Sequence, residues 1–168
     1  ACGHPRLRPH AGERGGGHRA AAVLCVATVT PRKGHRTLVR ALAEIADVPW
    51  RLQCVGSLTR TPDHVAALQA DLAALGLSDR VDLIGERDGA DLADCYRRAD
   101  VFVLPTWHET FGMVFTEAMS AGLPVVSTTA GAVPQTVPDG AGVLVPPGDA
   151  SALAAALRSV LTLSLIHI

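Results

Sequence analysis

The sequence predicts a doubly wound α/β domain built on a mostly parallel sheet. Short apolar runs alternate along the chain with stretches of helical periodicity, the order in which a parallel sheet collects its crossover helices. The runs are apolar throughout, not at every second residue, as strands covered on both faces must be. At 168 residues, with 48% apolar but only 4% aromatic side chains, the chain can bury one core, and Ala, Val and Leu must fill most of it.

In chain order the strand candidates are Val23 to Thr28, Trp50 to Val55, Val81 to Ile84, Val101 to Leu104, Val125 to Ser127 and Val143 to Val145. Helices fill most of the gaps. Leu38, Leu42 and Ile45 form one apolar face, Val65, Leu68, Leu72 and Leu75 a second, and Leu153, Leu157 and Val160 a third. Asp63 is an expected cap for the second of these helices, Gly76 its stop, and Asp149 the cap of the last. No internal repeat of solenoid period is present.

The two ends differ from this middle. Ala1 to Arg19 is rich in Arg, His and Gly and has no apolar periodicity, so residues 1–21 are expected to be a linker or a truncated segment outside the core. Leu163 to Ile168 breaks from the alanine-rich helical pattern before it and resembles a translated library adapter. Residues 163–168 are therefore expected to be a non-native tail, which leaves residues 22–162 as the domain.

With 15 basic against 16 acidic side chains, the chain has no general attraction for nucleic acid or anionic lipid. Any basic site must be local. Cys2, Cys25, Cys54 and Cys95 are widely spaced and form no C-x-x-C pair, which argues against a zinc site or a disulfide framework and for a reducing compartment. No apolar run is long enough to span a bilayer and no signal-peptide core stands at the start, so the expected location is cytoplasmic, with peripheral membrane association of a longer protein left open.

The chemistry gathers after the fourth strand. Glu109 and Glu117 stand with seven residues between them, directly beyond Val101-Phe102-Val103-Leu104. A strand ending at Leu104, a turn over Pro105 to Thr110 and a helix opening near Gly112 put Glu109 in the strand-to-helix loop and Glu117 about a turn and a half into the helix. Open parallel sheets take ligands at the carboxyl ends of their strands, where helix N-termini offer unpaired N–H groups to anions. A phosphate can sit between the two acids. Lys33, in Thr30-Pro31-Arg32-Lys33-Gly34-His35, follows the first strand at a turn into a helix. Taken singly, these residues read equally as a solvated basic turn, a loop acid and a glutamate favoured early in a helix by the macrodipole.

Three segments occurring in order change that balance: Pro31 to His35, His108 to Met119, and Ala118 to Val126. Together they resemble the donor half of glycosyltransferase family 4 over roughly Ala22 to Leu161. The resemblance implies a Rossmann-like half of a GT-B glycosyltransferase, in which two such domains face a cleft and sugar passes from a nucleotide sugar with retention at the anomeric carbon. It assigns Lys33 to the donor diphosphate, with Arg32 beside it, Glu109 to the donor sugar, and Glu117 to the ribose hydroxyls. The backbone N–H groups of Phe111, Gly112, Met113 and Val114 become the cradle for the second phosphate and the sugar, while Gly56 and the backbone around Arg87 lie near the nucleoside. Two positions depart from the family pattern: Thr28 stands where an arginine is expected, and Gln135 where an acid commonly follows the late proline.

Absent signals narrow the chemistry further. There is no G-x-x-x-x-G-K-[ST] loop, and Gly15 to Ala20 fits a loose dinucleotide fingerprint only by preceding the first strand, where such a loop cannot work. No D-x-D pair or clustered histidines occur, so departure of the leaving group is expected to rest on Lys33 and a helix terminus, with no obligatory metal and no cofactor. The expected partners are a nucleoside diphosphate sugar and an N-terminal acceptor domain outside this chain, without which the chain is expected to be inactive. Two other readings are a noncatalytic nucleotide-binding module and a nucleotide-sugar epimerase of the same layout.

Overall fold

A computed structural model describes residues 19–166, with side chains as far as Ser164. Six strands and six α-helices alternate: β1 Ala21–Val26, α1 His35–Glu44, β2 Trp50–Val55, α2 Pro62–Ala74, β3 Val81–Gly85, α3 Gly89–Arg98, β4 Val101–Leu104, α4 Met113–Ser120, β5 Val125–Thr128, α5 Val133–Thr136, β6 Gly142–Val145 and α6 Ala150–Ile166. All six strands run parallel in one sheet of order β3-β2-β1-β4-β5-β6. The doubly wound reading of the sequence holds.

Right-handed crossovers explain the layers. The chain moves outward from β1 to β3, then returns past β1 to lay down β4, β5 and β6 on the other side, so α1 and α2 fall on one face and α3 and α4 on the other, with α6 returning to the first. Packing of α1 against α2 and α6 marks one face, and α3 against β1 with α4 against β5 marks the other. The strands between them are apolar because both faces are covered: all four residues of β4 and of β5 are buried. Trp50, Phe102 and Phe115 are the largest fully buried side chains, and leucines from α1, α2 and α6 are buried in the same core. The Trp50 indole donates to the Ile45 carbonyl at 3.1 Å and lies 3.8 Å beneath the Arg80 guanidinium, which ties the start of β2 to the turn before it.

Several boundaries differ from expectation for local reasons. The first strand spans Ala21–Val26 instead of Val23 to Thr28, beginning one residue before the expected domain start. Its pairing with β2 ends where Gly56 folds over the Ala27 carbonyl, at a distance where a methyl group would lie 1.9 Å from that oxygen. Asp63 is not the cap of α2. That helix begins at Pro62 after Thr61, with Asp63 inside the first turn, because a proline there fixes φ and has no N–H to satisfy. Leu75 closes α2 as its last cap and is 41% exposed, so it leaves the apolar face that Val65, Leu68 and Leu72 form. Gly76 does end the helix, and Asp149 caps α6 by accepting from the Ala152 N–H at 2.9 Å. Leu163 to Ile166, the first part of the expected tail, continue α6 as helix. Leu, Ser and Ile there tolerate helix geometry, and no Gly or Pro interrupts it. Residues 1–18 and 167–168 lie outside the described region, so the expected N-terminal linker, Cys2 and the end of the expected tail are not placed by it.

Candidate active site

The strand order reverses between β1 and β4, and at such a switch point the loops leaving the two strands diverge to opposite faces and open a crevice. Both loops carry predicted residues. After β1 the chain runs through a 3₁₀ turn, Pro31–Lys33, into Gly34 and α1. After β4 it runs through Pro105 to Gly112 into α4.

Gly34 makes the two loops fit. It adopts φ 78°, and a methyl group on it would fall 2.0 Å from the Pro105 carbonyl oxygen. Only the glycine backbone can pass there. On this contact the loops are stitched together: the Trp107 N–H donates to the Arg32 carbonyl at 2.7 Å, and the fully buried Thr106 hydroxyl donates to the His108 carbonyl at 2.8 Å. The Thr128 hydroxyl, at the end of β5, donates to the Thr106 carbonyl at 2.7 Å. Each interior hydroxyl therefore has a partner, as burial demands.

The outcome is a short ion pair across the crevice. Lys33 Nζ donates to Glu109 Oε2 at 3.0 Å, and the two side chains are only 23% and 13% exposed. The backbone of Glu109 is held independently, because its carbonyl accepts from the Ala132 N–H at 2.9 Å. Gly131 permits that approach; its φ is 53°, and a methyl group there would lie 2.3 Å from the Glu109 oxygen.

Three residues beyond Glu109, Gly112 takes φ 65° and forms the N-cap of α4 without any side-chain cap. Gly34 stands in the same role at α1, also without a side-chain cap. No side chain therefore takes the first-turn N–H groups of either helix, and in α4 the Phe115 N–H turns back to the Gly112 carbonyl at 3.0 Å. Phe111 and Met113 are exposed, at 78% and 71%, while Val114 is half-buried against the core. Glu117 is exposed one turn and a half into α4, and its Oε2 accepts from the Tyr96 hydroxyl of α3 at 2.8 Å.

The crevice thus brings together Lys33, Glu109, and the Phe111 to Val114 turn. Arg32 is exposed and joins the network through its carbonyl. Gly56 closes the neighbouring strand β2. The Arg87 guanidinium folds back on its own loop, donating to the Ile84 and Glu86 carbonyls at 2.7 Å each, so that side chain serves the turn after β3. Among the described residues no group of three or more His, Cys, Asp or Glu is placed to hold a metal ion. Tyr96 and Thr106 were not legible beforehand: one is a tyrosine among the apolar residues of a short amphipathic helix, the other a threonine between proline and tryptophan, and neither spacing signals a site.

The arrangement can seat an anion against Lys33 and two uncapped helix termini while carboxylates at Glu109 and Glu117 accept hydroxyl hydrogens on either side. Its sheet order, with the crevice at the switch point, is that of a Rossmann-like domain of the GT-B glycosyltransferases. The chain belongs to the glycosyl transferases group 1 family, whose model matches residues 20–162. The D-inositol 3-phosphate glycosyltransferase of Kineococcus radiotolerans is 37% identical over 161 residues, covering 84% of this chain and 36% of that protein. Among solved structures, Anabaena HepE in complex with UDP and glucose matches at 30% identity with a TM-score of 0.80, over 88% of this chain and 40% of that one. The sucrose-phosphate synthase of Thermosynechococcus elongatus matches at 36% identity and TM-score 0.77, over 86% and 37%. The chain therefore spans between 36% and 40% of the length of these proteins.

Proposed function

We propose that this chain is the nucleotide-sugar-binding half of a retaining, family 4 glycosyltransferase, with residues 22–162 as the functional domain. The observation that carries the reading is the Lys33–Glu109 pair at the switch point, followed at once by the uncapped start of α4 and then by Glu117. In this reading Lys33 and the α4 terminus stabilise the negative charge that grows on the departing nucleoside diphosphate. Glu109 holds the donor sugar through its hydroxyls and is not a nucleophile. Glu117 holds the ribose, and backbone groups of Phe111, Gly112, Met113 and Val114 line the phosphates. Arg32 adds positive potential at the rim, and Gly56 with the backbone at Arg87 flanks the nucleoside.

The acceptor site belongs to a partner half beyond this chain, so transfer needs both. Among the described residues no helix is long and apolar enough to cross a membrane, and the unpaired thiols of Cys25, Cys54 and Cys95 fit the cytoplasm, where we place the protein.

Calorimetric titration of the 168-residue chain with UDP, GDP and ADP tests the reading, with Glu117→Ala as control. UDP is the first choice because HepE was solved with it. Selective binding of one nucleotide, weakened about tenfold or more by the control, is the expected result. A folded chain that binds none of the three removes the donor-site assignment.

A further inference from the structure

Tyr96 lies on another helix, 21 residues before Glu117 in sequence, yet its hydroxyl meets the Glu117 carboxylate at 2.8 Å. It is the one buried residue of α3, at 6% exposure, while the rest of that helix is half-buried or exposed. The ring has little freedom. It stacks on Phe102 with centroids 6.1 Å apart, and Phe102 in turn meets Phe115 edge-on at 5.8 Å. Phe115 belongs to α4 two residues before Glu117, so the aromatic row runs from α3 across β4 and back to the helix that carries the acid.

Glu117 itself is exposed on the helix surface. An unheld glutamate there samples several rotamers and loses that freedom when it binds a ligand. A phenol can only donate to a carboxylate. Burial pushes the Tyr96 hydroxyl far above its ordinary range, with the bond to Glu117 adding to the effect, so it stays protonated wherever the protein is folded. With Oε2 engaged by this donor, the carboxylate is restrained at one oxygen while Oε1 and a further lone pair of Oε2 remain to accept.

We propose that Tyr96 is the positioning residue that makes Glu117 selective for a vicinal diol, and so sets the preference of this site for a ribonucleotide over a deoxyribonucleotide. The proposal rests on the donor-site reading above. Tyr96 touches no ligand; it presents the acid already oriented, so that the two ribose hydroxyls meet an acceptor whose ordering cost has been met by the fold. An acid without that donor still binds, but with weaker dependence on having both hydroxyls.

The test is calorimetric titration of the 168-residue chain with UDP and with 2′-deoxy-UDP, in wild type and in Tyr96→Phe, which keeps the stack on Phe102. Wild type is expected to favour UDP by about tenfold, the size of one charge-assisted hydrogen bond. In Tyr96→Phe the UDP affinity falls by several fold and the 2′-deoxy-UDP affinity falls less, narrowing the ratio. Glu117→Asp, a surface change that draws the carboxylate away from the phenol, narrows it in the same way. A merely structural role would lower the melting temperature and weaken both ligands equally. UDP binding with an unchanged ratio in both variants overturns the proposal alone. No UDP binding by folded wild type overturns the donor-site reading, and this inference falls with it.

Discussion

Lys33 and Glu109 neutralise each other at 3.0 Å, and this sets the terms on which any anion approaches. A diphosphate reaching Lys33 meets a carboxylate already in place, and the two negative groups repel. Glu109→Gln keeps a hydrogen-bond acceptor but removes that charge, so UDP affinity is expected to rise about threefold at low salt, in line with a part-exposed charge pair. Titration of wild type and variant checks it. Affinity that stays level or falls would mean that the diphosphate does not come to Lys33. At this scale the sequence was partly readable. Lys33, Glu109 and Glu117 stood out because motifs recurred in order, and the geometry that follows from Leu104 ending a strand put Glu109 in a loop and Glu117 in a helix. Tyr96 and Thr106 were hidden because their value lies in a tertiary contact: a phenol reaching another helix, and a hydroxyl satisfying a carbonyl two residues away.

The loops after β1 and β4 behave as one element, and Gly34 is the point where they touch. Gly34→Ala forces both a left-handed backbone on an L side chain and a methyl group into the Pro105 carbonyl. Gly76 provides the control, because it has a similar φ of 70° but open space around it. Left-handed strain alone costs about 1–3 kcal/mol. Gly34→Ala is therefore expected to destabilise the chain by about 2 kcal/mol more than Gly76→Ala, the added cost of overpacking. Urea unfolding of both variants measures the difference, and equal losses would show that the loops can part freely. The strands were the most legible elements, since buried parallel strands are continuous apolar runs and Trp50–Val55 and Val101–Leu104 have the expected limits. Boundaries set by backbone contacts were not. The early end of β1 depends on Gly56 crossing Ala27, which no local pattern reveals, and α3 packs on the core through a narrow apolar face of which only Tyr96 is buried, with Leu92 and Cys95 half-buried beside it.

Across the whole molecule, α6 is the strap that returns from the last strand to the first half of the fold. Leu153, Leu157 and Leu161 are fully buried, and Arg158 pairs with Asp47 at 2.8 Å beyond α1. Because the core is continuous through both halves, Leu157→Ala is expected to cost about 2–5 kcal/mol and to shift one cooperative transition without splitting it. Two separated transitions in urea would instead mean that the halves unfold apart. The fold class was visible from the alternation of elements, but which strands are neighbours is set by tertiary packing and is shown by the structure, not by any residue. The order in which they lie puts an ion pair, rather than a lone lysine, at the mouth of the crevice. On the donor-site reading proposed above, binding there is an exchange of partners: an incoming anion must win Lys33 from Glu109 and offer hydroxyls to the carboxylate it displaces. Inorganic phosphate and chloride can make the first half of that trade but not the second, so on that reading the pair is a filter that passes over abundant simple ions in favour of a ligand carrying charge and sugar together.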